Sequence, residues 1–230
     1  MSETDPYMET RAHVLEKSLP HVAFDGWSQA VLERAIAEAE TDEDIDKDID
    51  KDIAVLAFPR GVDNLIAAFS AAGDAAMMQA LPQAEGLKIR ERITEAVWLR
   101  LMVNKENIEA SRRAAAYLSV PGRQKLAADL CFKTAHLMWR WAGDTATDYN
   151  YYSKRLILSG VITATRLYWF DDQSEDFADT RAFLERRIDN VMQFEKVKAK
   201  ARGWSEKLHG DKAPFDALIG ALAKMRYRQS

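Results

Sequence analysis

A chain of 230 residues with 47% hydrophobic and 30% charged residues is rich enough in apolar groups to build a sizeable core, which excludes a disordered or low-complexity class. The formal net charge of -4 is mild and singles out no partner. One cysteine, Cys131, excludes a disulfide framework within the chain and fits a reducing compartment, with Cys131 expected as a small buried hydrophobe.

Glycine and proline are scarce and apolar residues recur at three and four, so the expected fold is all-α. A first helix is expected over Thr10 to His21, ended by Pro20. Ser28, after Gly26-Trp27, reads as the N-cap of a second helix. Residues 41–53 hold the repeat Asp44-Ile45-Asp46-Lys47, Asp48-Ile49-Asp50-Lys51. Ile45, Ile49 and Ile53 fall on one helical face and acids cover the rest. A calcium loop fails here, because counting from Asp44 the glycine position is Ile49 and the bidentate glutamate position is Val55. The block reads as a solvated acidic face.

Phe58-Pro59-Arg60-Gly61 marks a turn before a helix over Val62 to Leu81. Leu87 to Val103 is amphipathic, with Ile89, Ile93, Val97 and Leu101 as its stripe and Lys88, Arg90, Glu91, Arg92 and Glu95 toward water. Further helices are expected over Glu106 to Leu118, Gln124 to Trp141, Tyr149 to Phe170 and Thr180 to Lys200. The segment Leu156 to Phe170 is apolar nearly all round, which predicts a helix central in its bundle. The small Ser159, Gly160, Thr163, Ala164 and Thr165 let neighbours approach closely or leave room for a guest. It carries Arg166 and falls short of the roughly 20 residues of a membrane span. The acidic Met1 to Pro6 stretch does not read as a signal or transit peptide.

The stretch Leu130 to Phe170 is the most informative. Two apolar segments flank the hinge Ala142-Gly143-Asp144-Thr145-Ala146-Thr147-Asp148, and aromatics crowd both sides of it: Trp139, Trp141, Tyr149, Tyr151, Tyr152, Tyr168, Trp169 and Phe170. Asp144 and Asp148 are expected to cap the hinge. Lys154 and Arg155 meet lipid headgroups, a partner's acids or a carboxylate of their own chain. From Glu195 onward bases outnumber acids. Phe215, Leu218, Ile219 and Leu222 recur at helical spacing, with Lys224 and Arg226 following, so 214–228 reads as an amphipathic helix for a membrane surface, its own bundle or a second subunit.

The segment Met138 to Arg155 resembles the signature of an accessory family of ubiquinone synthesis, the coenzyme Q biosynthesis protein nine family. The carrying residues are Met138-Trp139, Ala142-Gly143-Asp144, Thr147-Asp148, Tyr149-Asn150-Tyr151-Tyr152 and Lys154-Arg155. Trp169, Asp171-Asp172-Gln173-Ser174, Thr180, Phe183-Leu184 and Arg186-Arg187-Ile188 follow, and Gly26-Trp27, Phe58-Pro59, Gly61 and Arg112-Arg113 fit upstream. Ala146 departs from the common serine, and the Asp-Ile-Asp-Lys repeat is a private expansion.

The resemblance implies a TetR-like helical bundle without DNA binding, a hydrophobic lipid cavity, a homodimer and a C-terminal amphipathic helix docking on the membrane. It implies an isoprenoid quinone or phospholipid as ligand and a di-iron or other ubiquinone-pathway hydroxylase as partner, met near Met138, Trp139, Trp141, Asp144, Tyr149 and Tyr152. The expected arrangement has three parts: an acidic, helix-turn-helix-like segment over 1–85, a lipid-binding bundle over 86–200, and a basic linker with the amphipathic helix over 201–230. Trp98, Leu101, Leu130, Leu156, Val161 and Leu167 are expected to shelter the lipid, although residue by residue each suits ordinary core better. No cofactor is expected, and the place of work is the cytoplasmic side of an inner membrane, peripherally attached.

Two rivals follow from the residues. A TetR-type transcription regulator responding to a hydrophobic ligand needs a basic reading helix, yet residues 41–60 carry seven acids against Lys47, Lys51 and Arg60. An enzyme needs a constellation of groups. Of His13, His21, His136 and His209, only His209 has an acid at ligand spacing, Glu206, and it stands alone. Cys131 and His136 lie about 140° apart on one helix, poorly aligned as a nucleophile and base.

Overall fold

The computed structural model describes residues 6–41, 51–83, 86–147 and 149–191. The chain divides into a unit of residues 1–188 and a second of residues 189–230; the architecture below is that of the first. Its helices are α1 (Met8–Asp25), α2 (Gln29–Glu40), α3 (Lys51–Ala57), α4 (Val62–Ala80), α5 (Ile89–Met102), α6 (Ile108–Ser119), α7 (Gln124–Trp141) and α8 (Tyr149–Trp169). A further helix, α9, runs over 178–191. No strand occurs among the described residues, so the all-α expectation holds. The acidic repeat at 42–50 and the basic tail beyond 191 lie outside the described residues.

Helix starts follow their caps. Ser28 accepts a hydrogen bond from the Val31 amide at 3.3 Å and opens α2 as expected. The first helix departs from expectation: Pro20 lies inside α1, which runs on to Asp25. Proline removes one amide donor, but the flanking turns of this helix carry their own bonds past it. The stop is Gly26, whose φ of 72° breaks the helix while its amide still reaches the Val22 carbonyl.

One apolar core joins α1, α2, α3, α4 and α6 around Val14, Trp27, Leu32, Leu65 and Phe69. Trp27 fixes it twice, packing tilted against Phe69 with ring centres 5.2 Å apart and donating its indole N–H to the Ala110 carbonyl at 3.0 Å. Burying a side chain of this size contributes roughly 2–3 kcal/mol, and the polar tip is satisfied. Toward the other end, α7 and α8 pack as a hairpin, with α4 and α5 against α7.

Helix α8 is not buried all round. Leu156 and Leu167 are more than half exposed and Tyr168 is 39% exposed, while Leu158, Val161, Ile162 and Trp169 face inward. The apolar run therefore covers two faces, a core face and an uncovered one, which sequence hydrophobicity alone does not separate. On α5 the stripe begins at Ile93, because Ile89 is 54% exposed. Two of its expected water-facing charges turn inward. Arg92 donates to the carbonyls of Leu87 and Ala142, and Glu95 accepts from Arg181 of α9 at 3.1 Å.

Candidate functional site

A cavity of about 300 Å³ lies where α4, α5, α6, α7 and α8 meet. Ile66, Phe69, Leu118 and Ile162 contribute to walls that are mostly apolar. This size falls at the lower end of small-molecule pockets. It suits a ring or a segment of a chain, with the remainder of a longer ligand outside.

Of the six residues expected to shelter a lipid, Leu101, Leu130 and Leu167 stand in this wall. The other three do not. Val161 is buried but faces away from the cavity wall formed by its neighbours Ile162 and Thr163. Leu156 is exposed, on the helical face of Thr163 but two turns earlier in α8. Trp98 lies beneath the Arg181 guanidinium, 5.2 Å from its ring centre. Hydrophobicity picked these residues; helical phase and position along the helix decided which reach the void. Cys131, expected as plain core, is partly accessible and lines the cavity, its thiol toward the Ser159 carbonyl and the Thr163 hydroxyl.

Polar groups on one side are held in a network. Arg100 donates to Asp74 at 2.7 Å and to the Ser70 carbonyl at 3.1 Å, and the Thr134 hydroxyl donates to the same carboxylate. Gly73 makes room for it: a Cβ there would come within 2.6 Å of the Arg100 guanidinium. The pair is largely buried and mutually neutral.

The hinge after α7 is a second feature. Gly143, at φ 92°, lets the chain reverse: the Asp144 amide reaches back to the Trp139 carbonyl and the Gly143 amide to Arg140. This pair of bonds is the Schellman closure of a helix, and it explains the Ala-Gly-Asp order. The Asp144 side chain then turns inward, accepting from Lys154 at 2.7 Å and from Arg155 at 3.0 Å. Arg155 is wholly buried, donating also to the Tyr151 carbonyl and to Nδ1 of His136, with its guanidinium 3.6 Å from the Tyr151 ring centre. Of the alternatives open for Lys154 and Arg155, the internal carboxylate is the one realised, and Arg155 is closed to headgroups and partners alike.

The residues expected to meet a partner separate by depth. Met138 is fully buried, and Asp144 keeps its carboxylate 4% exposed. Trp139 is half-buried, donating its indole N–H to the Lys154 carbonyl at 3.1 Å, with the Lys154 ammonium over its ring. Trp141 is half-buried and Tyr152 is 37% exposed, packed against Tyr151 and Phe132. Met138 and Asp144 therefore shape this surface from beneath. Asp148, the side chain of Tyr149, and Phe215, Leu218, Ile219, Leu222, Lys224 and Arg226 lie outside the described residues.

His136 is engaged by Arg155 and Tyr151, while the Cys131 thiol faces α8. Among the described residues no three His, Cys, Asp or Glu side chains gather as metal ligands, and no helix is long and apolar enough to cross a membrane.

Three groups, two at the hinge before α8 and one after its last turn, tie stability to pH. Desolvation would raise the Asp172 carboxyl, but hydrogen bonds from the Ser174 and Thr180 hydroxyls and amides outweigh it and pull it down to about 2. Desolvation likewise opposes the lowering of Asp144, and Lys154 and Arg155 outweigh it. His136 is lowered by desolvation first and by the Arg155 and Arg140 charges next. All three bind protons more readily in the unfolded chain, so stability is full above neutrality and falls in acid. The loss begins below about pH 6.5 through His136 and steepens below about pH 4 through the two acids. Denaturant midpoints across that range will fall, and Asp172→Asn will remove about 1–2 kcal/mol of the steep part after allowance for solvent screening. A flat profile down to pH 3 contradicts this account.

Geometry of this kind has a known class. The fold is similar to that of the TetR transcriptional regulator from Nitrosomonas europaea ATCC 19718, with a TM-score of 0.58 over 82% of this chain and 99% of that one, at 19% identity. The protein thus has a TetR-like, all-helical fold. Within it, residues 124–195, which hold α7, the hinge and α8, match the COQ9 family model. The chain is 34% identical over 146 residues to the rat mitochondrial ubiquinone biosynthesis protein COQ9, covering 64% of this chain and 45% of that one. The human protein gives 33% over 146 residues, with 64% and 44% covered. The Drosophila melanogaster protein aligns over 199 residues at 24%, with 84% and 58% covered. The matched region spans under half the length of the rat and human relatives. The resemblance read from the Met138 to Arg155 signature holds.

Proposed function

We propose that this chain is a non-enzymatic, lipid-binding accessory protein of ubiquinone biosynthesis, presenting a polyprenylated quinone precursor to a membrane-associated hydroxylase. The observation that carries the reading is a coincidence of place. The helices that match the COQ9 family, α7 and α8, are two of the five that wall the apolar cavity. An isoprenoid tail in water costs about 0.8 kcal/mol for each CH₂-sized unit, and a mostly apolar cavity removes part of that cost. The ring or the first isoprene units suit the cavity; the rest of the tail passes over Leu167 and the uncovered face of α8 or into a membrane. That face, with Leu156, Gly160, Thr163 and Leu167 in register, also supports a homodimer built on α8. Trp141 and Tyr152 offer the hydroxylase an aromatic surface beside the hinge.

The TetR-like fold by itself also suits a transcription regulator. The surface of α3 argues against it. Ile53, Val55 and Leu56 are exposed there, and residues 41–60 carry seven acids against Lys47, Lys51 and Arg60, a balance that repels phosphates.

Solvent extraction of the purified protein followed by mass spectrometry tests the reading. An isoprenoid quinone, a precursor or a phospholipid in near-equimolar yield is expected. A protein that yields no lipid and takes up none from added ubiquinone overturns it.

A further inference from the structure

Arg166 stands in the cavity wall on α8 and is unlike every other charge there. Its neighbour Arg100 is neutralised by Asp74. Arg166 is not neutralised. Its Nε is buried without an acceptor, no carboxylate lies within ion-pair distance among the described residues, and the residues lining the cavity include no acid. Burial pushes its guanidinium pKa down and the Arg100 charge adds to that, with only Cys131 acting the other way. Even so, a guanidinium keeps its proton in a protein, so the cavity contains a net positive charge. The indole N–H of Trp169, in the same wall, is a second buried donor without an acceptor.

A partly buried cation without a counter-ion is costly, and an unsatisfied buried donor in a native fold calls for a partner. Water at the mouth hydrates such a group without neutralising it. A neutral carbonyl oxygen could accept from the donors but would leave the charge. A ligand atom carrying a negative charge does both, and the apolar remainder of the cavity accommodates an apolar body.

We propose that the cavity selects amphiphiles with an anionic head, a carboxylate, phenolate or phosphate, paired with Arg166 while the apolar body lies against Phe69, Leu101, Leu130 and Ile162. This rests on the reading of the cavity as a lipid site and narrows it from any isoprenoid to acid-headed ones.

Oleate and oleyl alcohol share a tail and differ in charge, which makes them the decisive pair. Binding to the full chain can be followed by calorimetry and by protection of Cys131, the only cysteine, from alkylation. At a pH where the carboxylate is ionised, oleate is expected to bind roughly 10–100-fold more tightly than oleyl alcohol, with oleyl phosphate behaving like oleate. Arg166→Met should bring oleate down to the alcohol and leave the alcohol unchanged, whereas Arg166→Lys should keep much of the preference. Arg166→Met removes an uncompensated charge, so its melting temperature in the empty state should hold or rise. Arg166→Gln provides a second neutral variant.

Equal affinities for oleate and oleyl alcohol in the unaltered protein, or a preference that survives both neutral variants, overturn the head-group assignment alone. Inorganic phosphate binding as tightly as oleyl phosphate overturns the amphiphile in favour of a plain anion site. If neither oleyl compound binds, the lipid reading of the cavity falls together with the head group.

Discussion

Replacing Asp144 by asparagine will destabilise the protein by about 3–5 kcal/mol, the range for breaking a buried ion pair from one side. The carboxylate is 4% exposed and meets two cations, of which Arg155 is 0% exposed and Lys154 is 40% exposed. Lys154 can return to water when its partner is lost. Arg155 cannot, because Tyr151 and His136 surround it, and one of its terminal nitrogens already lacks a partner. Asparagine keeps the shape and one acceptor, so the cost is electrostatic and falls on the guanidinium. The denaturant midpoint measures it, and a loss below about 0.5 kcal/mol would show that the pair has little effect on stability.

The double variant Asp144→Asn with Arg155→Met separates the cost of a stranded charge from the worth of the pair. If the stranded charge is what destabilises, the double variant recovers most of the loss, because a long apolar side chain fills the same space without needing a counter-ion. Lys154→Ala provides the contrast. Removing the more exposed partner should cost no more than about 1 kcal/mol. The hinge then serves stability first, and any role it has toward a partner is exerted by the shape it gives to Trp139, Trp141 and Tyr152.

The order of helices was legible because caps and breakers are local. Ser28, Gly61 and the Ala142-Gly143-Asp144 closure each act within a turn or two. Pro20 misled because the strength of a breaker depends on whether the helix beyond it is packed, and Val22 is fully buried. Three of the six residues expected to shelter a lipid line the cavity and three do not, for a similar reason. Apolar character says that a side chain avoids water, and the position of each residue along α8 decides that Leu167 and not Leu156 meets the void. Arg166 shows the limit most clearly. In the sequence it is one charge spoiling an apolar run. Its significance comes from the absence of an acid in a wall assembled from five helices, and no local pattern encodes that absence.

Filling the cavity from α7 gives the second large effect. Ala127 lies in the wall one turn before Leu130 and Cys131 and is partly accessible. Ala127→Phe should lower lipid affinity at least about tenfold, because the ring takes the space the ligand's body needs. The accompanying change in stability decides whether the interior is hollow. In a close-packed core an added ring forces side chains off their rotamers and costs about 1–3 kcal/mol. In a void it supplies contacts to wall atoms that had none, so the empty protein should hold its melting temperature or gain in it. Phe24→Ala, at an exposed position of α1 outside the cavity wall, should leave lipid affinity unchanged and serves as the control. Lower affinity with unchanged or higher stability is the signature of a site kept open. Lower stability with unchanged lipid uptake would place the lipid elsewhere on the molecule and leave this interior as ordinary core.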